Sequence, residues 1–392
     1  MINTDPKKIE ELLTRGVDEI IGGEDLRKKL ESGKELRVKL GIDPTSPNIH
    51  LGRSVPLLKL RDFQELGHKV VFIIGDFTGV IGDTSDKESE RPMLDEGVVK
   101  ENMREYREQA GKIIDLEKCE IHYNSEWLAK LTYAEIGKQA NAFSVAEFIA
   151  RDNIRRRLDE GKRVSLREML YPLMQGYDSV EVRADVELGG TDQRFNLLAG
   201  RKLQEVYNQE PQAIVMGPLV EGTDGRKMSS SWGNTIDVSE IPNNMLGKVM
   251  SIQDDLIIKY FTLMTRLPLE TVRQYDEEMK SGANPRDIKM KLGAELVRFY
   301  HSEESAGAAE EGFVNTFTKK QTPEDMPTVR PKSQNLIDVL VEAGLTSSKS
   351  EARRAIEQGG VKINDAKVEA LDAVIQPGDV IQKGKRHFVK VV

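Results

Sequence analysis

Two short stretches of this 392-residue chain carry residue types suited to phosphate chemistry. One is Gly41-Ile42-Asp43-Pro44-Thr45-Ser46-Pro47-Asn48-Ile49-His50-Leu51-Gly52-Arg53, and the other is Lys227-Met228-Ser229-Ser230-Ser231. The first follows a strand-like run and opens a helix. A helix start offers free backbone N–H groups and a positive dipole end, to which His50 adds a side-chain donor. Gly52 removes a side chain where a nucleotide must approach closely. The second stretch reads as a small, flexible loop whose Lys227 can swing onto charge that appears only in a transition state. A lone histidine at a helix start is usually a cap, and serine-rich turns are common. The restrictive feature is the spacing of Gly41, Asp43, Pro44 and Thr45 ahead of His50 and Gly52.

A second cluster has the character of a pocket wall. Tyr171, Gln175 and Asp178 stand at i, i+4 and i+7, one face of a helix. An aromatic, an amide and a carboxylate share that face, flanked by apolar Leu170, Leu173 and Met174. Glu187-Leu188-Gly189-Gly190-Thr191-Asp192-Gln193 then reads as another glycine turn opening a helix, and Thr78-Gly79-Val80-Ile81-Gly82-Asp83 follows an apolar run.

The elements that must position these groups are legible from periodicity. Between Glu35 and Asp43, Val38, Leu40 and Ile42 alternate with Arg37, Lys39 and Gly41, a strand pattern. A helix is predicted over about His50 to Leu66, with Pro56 tolerable only near its first turn. Gly67-His68 ends it, and Val70 to Ile74 reads as a strand buried on both faces. Strand, helix and strand in succession imply a parallel sheet, whose ligands sit at the C-terminal ends of its strands. Glu88 to Arg167 reads as a charged, helical insertion without chemistry of its own. From Ser239 to Phe317 the chain is again helical, and Thr322 to Pro331, with three prolines, has linker composition. Beyond it, Asn335–Ala343 and the capped stretch from Ser348 read as short helices, followed by Val361-Lys362-Ile363-Asn364 and two further β segments.

Composition narrows the class. Charged residues make up 31% and hydrophobic residues 38%, ordinary for a soluble protein, and no apolar run nears the roughly 18 residues of a membrane span. The first 27 residues are charged and lack a signal core, so export is not expected. One cysteine, Cys119, excludes an internal disulfide framework and a Cys-built zinc site and suits a reducing cytoplasm. A net charge of −8 argues against indiscriminate nucleic-acid coating but leaves room for local basic patches.

The two phosphate-suited stretches resemble the "HIGH" and "KMSKS" signatures of class I aminoacyl-tRNA synthetases. The Tyr171 and Gly189 motifs resemble the tyrosyl-tRNA synthetases, and the resemblance runs in order over essentially the whole chain. It implies an α/β fold: a Rossmann-like parallel-sheet catalytic domain over 1–236, with a helical insertion at 88–167 that serves as a dimer interface. A helical anticodon-binding domain over 237–320, a linker over 321–334 and a small α+β RNA-binding domain over 335–392, similar to the "S-four" domain, complete it.

The same resemblance assigns residues. Thr45, His50, Lys227 and Ser229 are the expected catalytic groups, meeting the phosphates. Gly41, Asp43, Gly52, Arg53, Gly190, Asp192 and Met228 join His50 and Lys227 around ATP. Lys39, Asp43, Thr78, Asp83, Tyr171, Gln175, Asp178 and Gln193 are expected around L-tyrosine, with Asp178 accepting the phenol O–H. Arg353, Arg354, Lys383, Lys385 and Arg386 are expected to face RNA phosphates. The chain departs from the signatures at Arg53, which replaces a second histidine, and Ser230, which replaces a second lysine. Lys39 stands where many bacterial relatives have tyrosine, and by strand alternation it is expected to enter the pocket and pair with Asp178.

The implied reaction is two-step: tyrosine and ATP give tyrosyl-adenylate and pyrophosphate, and the tyrosyl group passes to the 3′ end of tRNA(Tyr). Mg²⁺ is expected on the ATP phosphates, with no dedicated protein metal site. A homodimer in the cytoplasm, touching neither membrane nor DNA, completes the expectation. Two rivals remain: a catalytically weakened, RNA-binding relative of the synthetases, and a tryptophanyl enzyme, which Asp178 is expected to disfavour because an indole only donates.

Overall fold

Val70, Val71, Phe72, Ile73 and Ile74 are each fully buried within the strand Lys69–Ile74, as an apolar run without alternation requires. That strand is central to a six-stranded sheet built from β1 (Glu19–Ile21), β2 (Arg37–Ile42), β3 (Lys69–Ile74), β4 (Glu120–Tyr123), β5 (Val186–Gly190) and β6 (Ala213–Gly217). The order is β1-β6-β5-β2-β3-β4. Strands β2 to β6 run parallel, and β1 closes one edge antiparallel to β6. The chain runs outward from β2 through β3 to β4, then returns to the other side of β2 as β5 and β6. Strands β2 and β5 are therefore the topological switch point, where open α/β sheets form their ligand crevice.

In this computed structural model the described residues are 2–83, 93–317, 326–346, 348–364, 366–368, 370–384 and 387–392. They fall into two units, Met1–Glu310 and Glu311–Val392. The helices after the sheet, Pro242–Val249, Ile257–Met264, Leu269–Lys280 and Pro285–Tyr300, belong to the first unit with the sheet itself. The expected boundary near 236 falls inside this unit. Arg15 ties the N-terminal region to these helices, donating to the carbonyls of Thr262 at 2.9 Å and Thr265 at 2.8 Å, and Arg266 donates to Asp62 at 2.7 Å.

The segment 88–167 is more than helical: it supplies β4, the edge strand beside β3. Its Arg157 and Glu168 of the following helix, both buried, form a two-pronged ion pair that seats the helix Leu166–Glu181, whose start carries a Ser165–Glu168 capping box.

In the second unit Leu336, Val339, Leu340, Ala352, Ile356, Val361, Ile375 and Ile381 form one apolar core. The helices Leu336–Glu342 and Lys349–Glu357 cover a sheet of β7 (Thr328–Val329), β8 (Val361–Ile363), β9 (Ala366–Lys367), β10 (Val380–Lys383) and β11 (His387–Val391). Strand β7 was not expected. It lies in the proline-rich stretch and pairs parallel with β11 through the register Thr328 to Lys390.

Candidate active site

A cavity of about 340 Å³ opens at the C-terminal ends of β2, β3, β5 and β6, lined by residues of both phosphate-suited stretches and of the Tyr171 helix. The size suits a small-molecule ligand. His50 is the N-cap of the helix Leu51–Glu65, and its Nδ1 accepts the Arg53 N–H at 3.3 Å. Burial, followed by the charges of Arg53 and Lys227, holds its pKa down near 3. His50 is therefore a neutral imidazole with Nδ1 occupied as an acceptor, which leaves Nε2–H as the donor.

Gly52 donates its N–H to Met228 Sδ at 3.3 Å, docking the Lys227 loop onto the helix start. A Cβ on Gly52 would press the His50 ring at 3.1 Å, so glycine here also makes room for the histidine. Gly41 has no atom within 4 Å of where a Cβ would stand and leaves open space. Arg53, at the departure from the signature, is embedded in the site. It donates to Thr45 Oγ1 at 3.0 Å, to Ser46 Oγ at 3.3 Å and to the Tyr106 hydroxyl.

Lys227 follows β6 and donates to Asp192 Oδ2 at 2.9 Å, across from the turn after β5. Asn234 organises its loop, accepting from the Ser229 N–H at 2.8 Å and donating to Asp224 at 2.7 Å and to the Lys227 carbonyl at 3.1 Å.

The other end of the cavity is acidic, with Asp178 buried and Asp43 and Asp83 half-buried. Asp43 accepts from Thr78 Oγ1 at 2.7 Å and from the Tyr171 hydroxyl at 2.8 Å. Burial dominates these bonds and pushes its pKa up to about 6. Gln193 donates to Asp83 at 2.6 Å. Asp178 accepts from Trp127 Nε1 at 2.7 Å and from Asn124 Nδ2 at 3.3 Å, and burial outweighs the nearby Lys39 charge to raise its pKa to about 7.

Three expectations need correction. Lys39 is wholly buried beneath the cavity rather than in it, and its partner is Glu187 at 2.8 Å, not Asp178. Strand alternation gave the correct side of the sheet, but nothing in the spacing announced an acid on the neighbouring strand. The segment 88–167 does contribute chemistry, through Asn124, Trp127 and Tyr106; only its polar and aromatic content hinted at this. The rejection of indole also fails, because Asp178 already accepts an indole N–H from Trp127.

The expected RNA-facing residues lie in the second unit. Arg353 and Arg354 are exposed on the helix Lys349–Glu357. Lys383 is partly committed, donating to Glu351 at 2.7 Å and to the Leu345 carbonyl at 2.6 Å. Lys385 and Arg386 lie outside the described residues.

Known families match these features. A model described as "tRNA synthetases class I (W and Y)" matches residues 31–318. The chain belongs to this family. As a class I synthetase of that group it carries a further matched region, residues 319–391, described as a "Tyrosine--tRNA ligase SYY-like C-terminal domain". It is 48% identical over 391 residues to the tyrosine–tRNA ligase of Thermotoga maritima, covering 98% of each chain. It is 47% identical over 403 residues to that of Carboxydothermus hydrogenoformans, again covering 98% of each. Among solved structures, the tyrosyl-tRNA synthetase of Archaeoglobus fulgidus, solved with L-tyrosine, shares the fold at a TM-score of 0.63 and 23% identity, over 78% of this chain and 99% of that one.

Proposed function

We propose that this synthetase is a tyrosine–tRNA ligase, forming tyrosyl-adenylate and diphosphate from L-tyrosine and ATP and then esterifying tRNA(Tyr). The observation that carries the reading is one cavity at the β2–β5 switch point that holds both an acidic end and a phosphate-suited end. Full-length relatives that share nearly half their residues and bear that activity support it over the tryptophanyl reading. Arg53, bonded to Thr45 and Tyr106, speaks against a decayed site.

At the acidic end Asp43, Tyr171 and Gln175 meet the tyrosine ammonium, with Thr78 steadying Asp43. Asp178, fixed by Trp127 and Asn124, accepts the phenol O–H, and Gln193 with Asp83 closes the remaining wall. These contacts aim the carboxylate at the α-phosphate, so much of the catalysis is positioning. Gly190 and Asp192 meet the ribose. His50 donates Nε2–H, and Thr45, Lys227, Ser229 and the N–H groups of the loop surround the departing diphosphate, where charge develops.

A Mg²⁺ ion carried by the ATP phosphates would add charge neutralisation at the diphosphate end. The second unit and the helices after residue 237 serve tRNA, the enzyme works as a homodimer, and it acts in the cytoplasm. No described helix is long and apolar enough to cross a membrane. ATP–diphosphate exchange with each of the twenty amino acids tests the reading: exchange dependent on tyrosine alone supports it, and tryptophan-dependent or absent exchange overturns it.

A further inference from the structure

Lys39 and Glu187 form an ion pair on neighbouring strands, 2.8 Å apart with side chains 0% and 1% exposed. Enclosed pairs of this kind can often be exchanged for apolar residues without loss of stability, so stability is a weak reason for one to be here. Its bonds point to another. The Lys39 ammonium spends its three donors on Glu187, on Ser179 Oγ at 2.8 Å and on the Gln175 carbonyl at 2.9 Å. Glu187 in turn receives Ser179 Oγ–H at 3.0 Å, the Gln212 side-chain amide, and Gln175 Nε2 at 3.2 Å.

The last of these bonds has a consequence for the cavity. An ionised carboxylate only accepts, so Gln175 must turn its NH₂ toward Glu187. Lys39, clamped to the Gln175 backbone as well as to Glu187, fixes the distance between the two. The amide oxygen is then the atom that Gln175, which lines the cavity, has left for a ligand. An oxygen in the cavity that Asp43 and Tyr171 also line suits an ammonium group; an NH₂ in its place would oppose one donor to another.

We propose that Glu187, held by Lys39, is a positioning residue that sets the orientation of the Gln175 amide and thereby the preference for a substrate bearing an α-ammonium group. The inference rests on the reading of this cavity as a tyrosine site. Lys39 and Gln175 donate to the same oxygen of Glu187, so an intact Lys39 would keep a glutamine oxygen there; only with Lys39 removed can glutamine at 187 donate as readily as accept and leave Gln175 free to face either way.

The test compares L-tyrosine with 3-(4-hydroxyphenyl)propionate, which lacks the amino group, by equilibrium titration of the full chain. Wild type should prefer tyrosine. In Lys39→Met with Glu187→Gln the affinity for tyrosine should fall about tenfold, the size of one hydrogen bond to a charged group, while the analogue is held as before. A second double variant, Lys39→Met with Glu187→Met, replaces the pair with apolar side chains and should fold and show the same loss of preference. Retention of the wild-type preference in either variant, or parallel weakening of both ligands, overturns the proposal. So does a double variant that cannot fold, since the pair would then be structural. A wild-type chain that binds neither ligand, or shows no preference, would instead sink the tyrosine reading itself.

Discussion

Lys227 Nζ lies 2.9 Å from Asp192 Oδ2, which joins the loop after β6 to the turn after β5 across the mouth of the cavity. The two residues have different duties in the proposed reaction, one toward phosphate and one toward ribose. On the proposed reading, a ribose that engages Asp192 competes for the carboxylate that holds the lysine, so nucleotide binding should loosen Lys227 as it brings the phosphates within reach. The lysine would then be able to meet charge that grows as diphosphate departs.

Lys227→Ala is accordingly expected to slow adenylate formation by about 10²–10³ and to leave tyrosine binding near normal. Single-turnover adenylate formation measures the first quantity and equilibrium binding the second. An unchanged single-turnover rate would remove Lys227 from the mechanism.

Asp178 is expected to set the choice of tyrosine over phenylalanine. Phenylalanine leaves the buried carboxylate with Trp127 and Asn124 but no phenol, and an unmet polar group in such a site is strongly penalised. Rejection can reach roughly 10⁵ where a site is built to hydrogen-bond the substrate hydroxyl, a magnitude already known for this enzyme family. Exchange assays on Asp178→Ala should show discrimination collapsing. If the variant still strongly prefers tyrosine, selectivity resides elsewhere in the wall.

Much of this site was legible because it lies where local pattern and chemistry coincide. The strand ending in Gly41-Ile42, the cap at His50 and the i, i+4, i+7 face of Tyr171, Gln175 and Asp178 are each specified within a dozen residues. Lys39 failed for a physical reason: alternation tells which side of a sheet a side chain takes, not which residue the next strand sets beside it. Its pairing with Glu187 spans 148 residues of sequence. Trp127 and Asn124 were missed likewise, since their roles follow from β4 joining the sheet edge, a tertiary event in a segment whose local pattern is helical. The indole argument failed on chemistry alone, because a carboxylate accepts from any N–H.

Two raised carboxyl pKa values give stability a pH dependence with a definite sign. Asp43 titrates near 6 and Asp178 near 7, against about 4 in an unfolded chain. Between those limits the native state keeps protons that the unfolded chain has lost, so these two groups make stability fall as pH rises from about 4 to 7. Thermal melts of the ligand-free protein across that window should show a shallower fall for Asp178→Asn than for wild type. A variant whose Tm tracks wild type at every pH would mean that Asp178 titrates as an ordinary carboxyl.

A dimer is expected from the surface of the segment 88–167 and its junction with the next helix. Tyr133 is 95% exposed, Leu166 79% and Val145 73%, large apolar side chains that a partner can cover. Sedimentation at micromolar concentration should give twice the chain mass of 44.1 kDa. A species at the single-chain mass contradicts the expectation, and charged substitutions at Val145 and Leu166 should produce that species if these residues form the interface.

The tail should separate tRNA charging from amino-acid activation. Residues 335–392 contain nine Lys and Arg against eight Asp and Glu, close to neutral within a chain at −8. Their basic groups are not equivalent. Lys383 is engaged by Glu351 and the Leu345 carbonyl, whereas Arg353 and Arg354 stand exposed on one helix and are better placed for phosphate. Because β7 pairs with β11, a cut at Pro331 would strand one strand of the small sheet, so the deletion should remove residues 326–392. Adenylate formation should survive it nearly intact, since every residue lining the cavity lies at or before Ser231. Aminoacylation should fall steeply, because phosphate contacts supply much of the affinity for nucleic acid. The lost part is the salt-sensitive part, so the slope of log K against log salt should shrink in the truncated enzyme. Arg353→Glu with Arg354→Glu in the full chain should reproduce part of both changes. A truncated enzyme that charges tRNA as well as the full chain, with the same salt dependence, would assign the tail to a different partner.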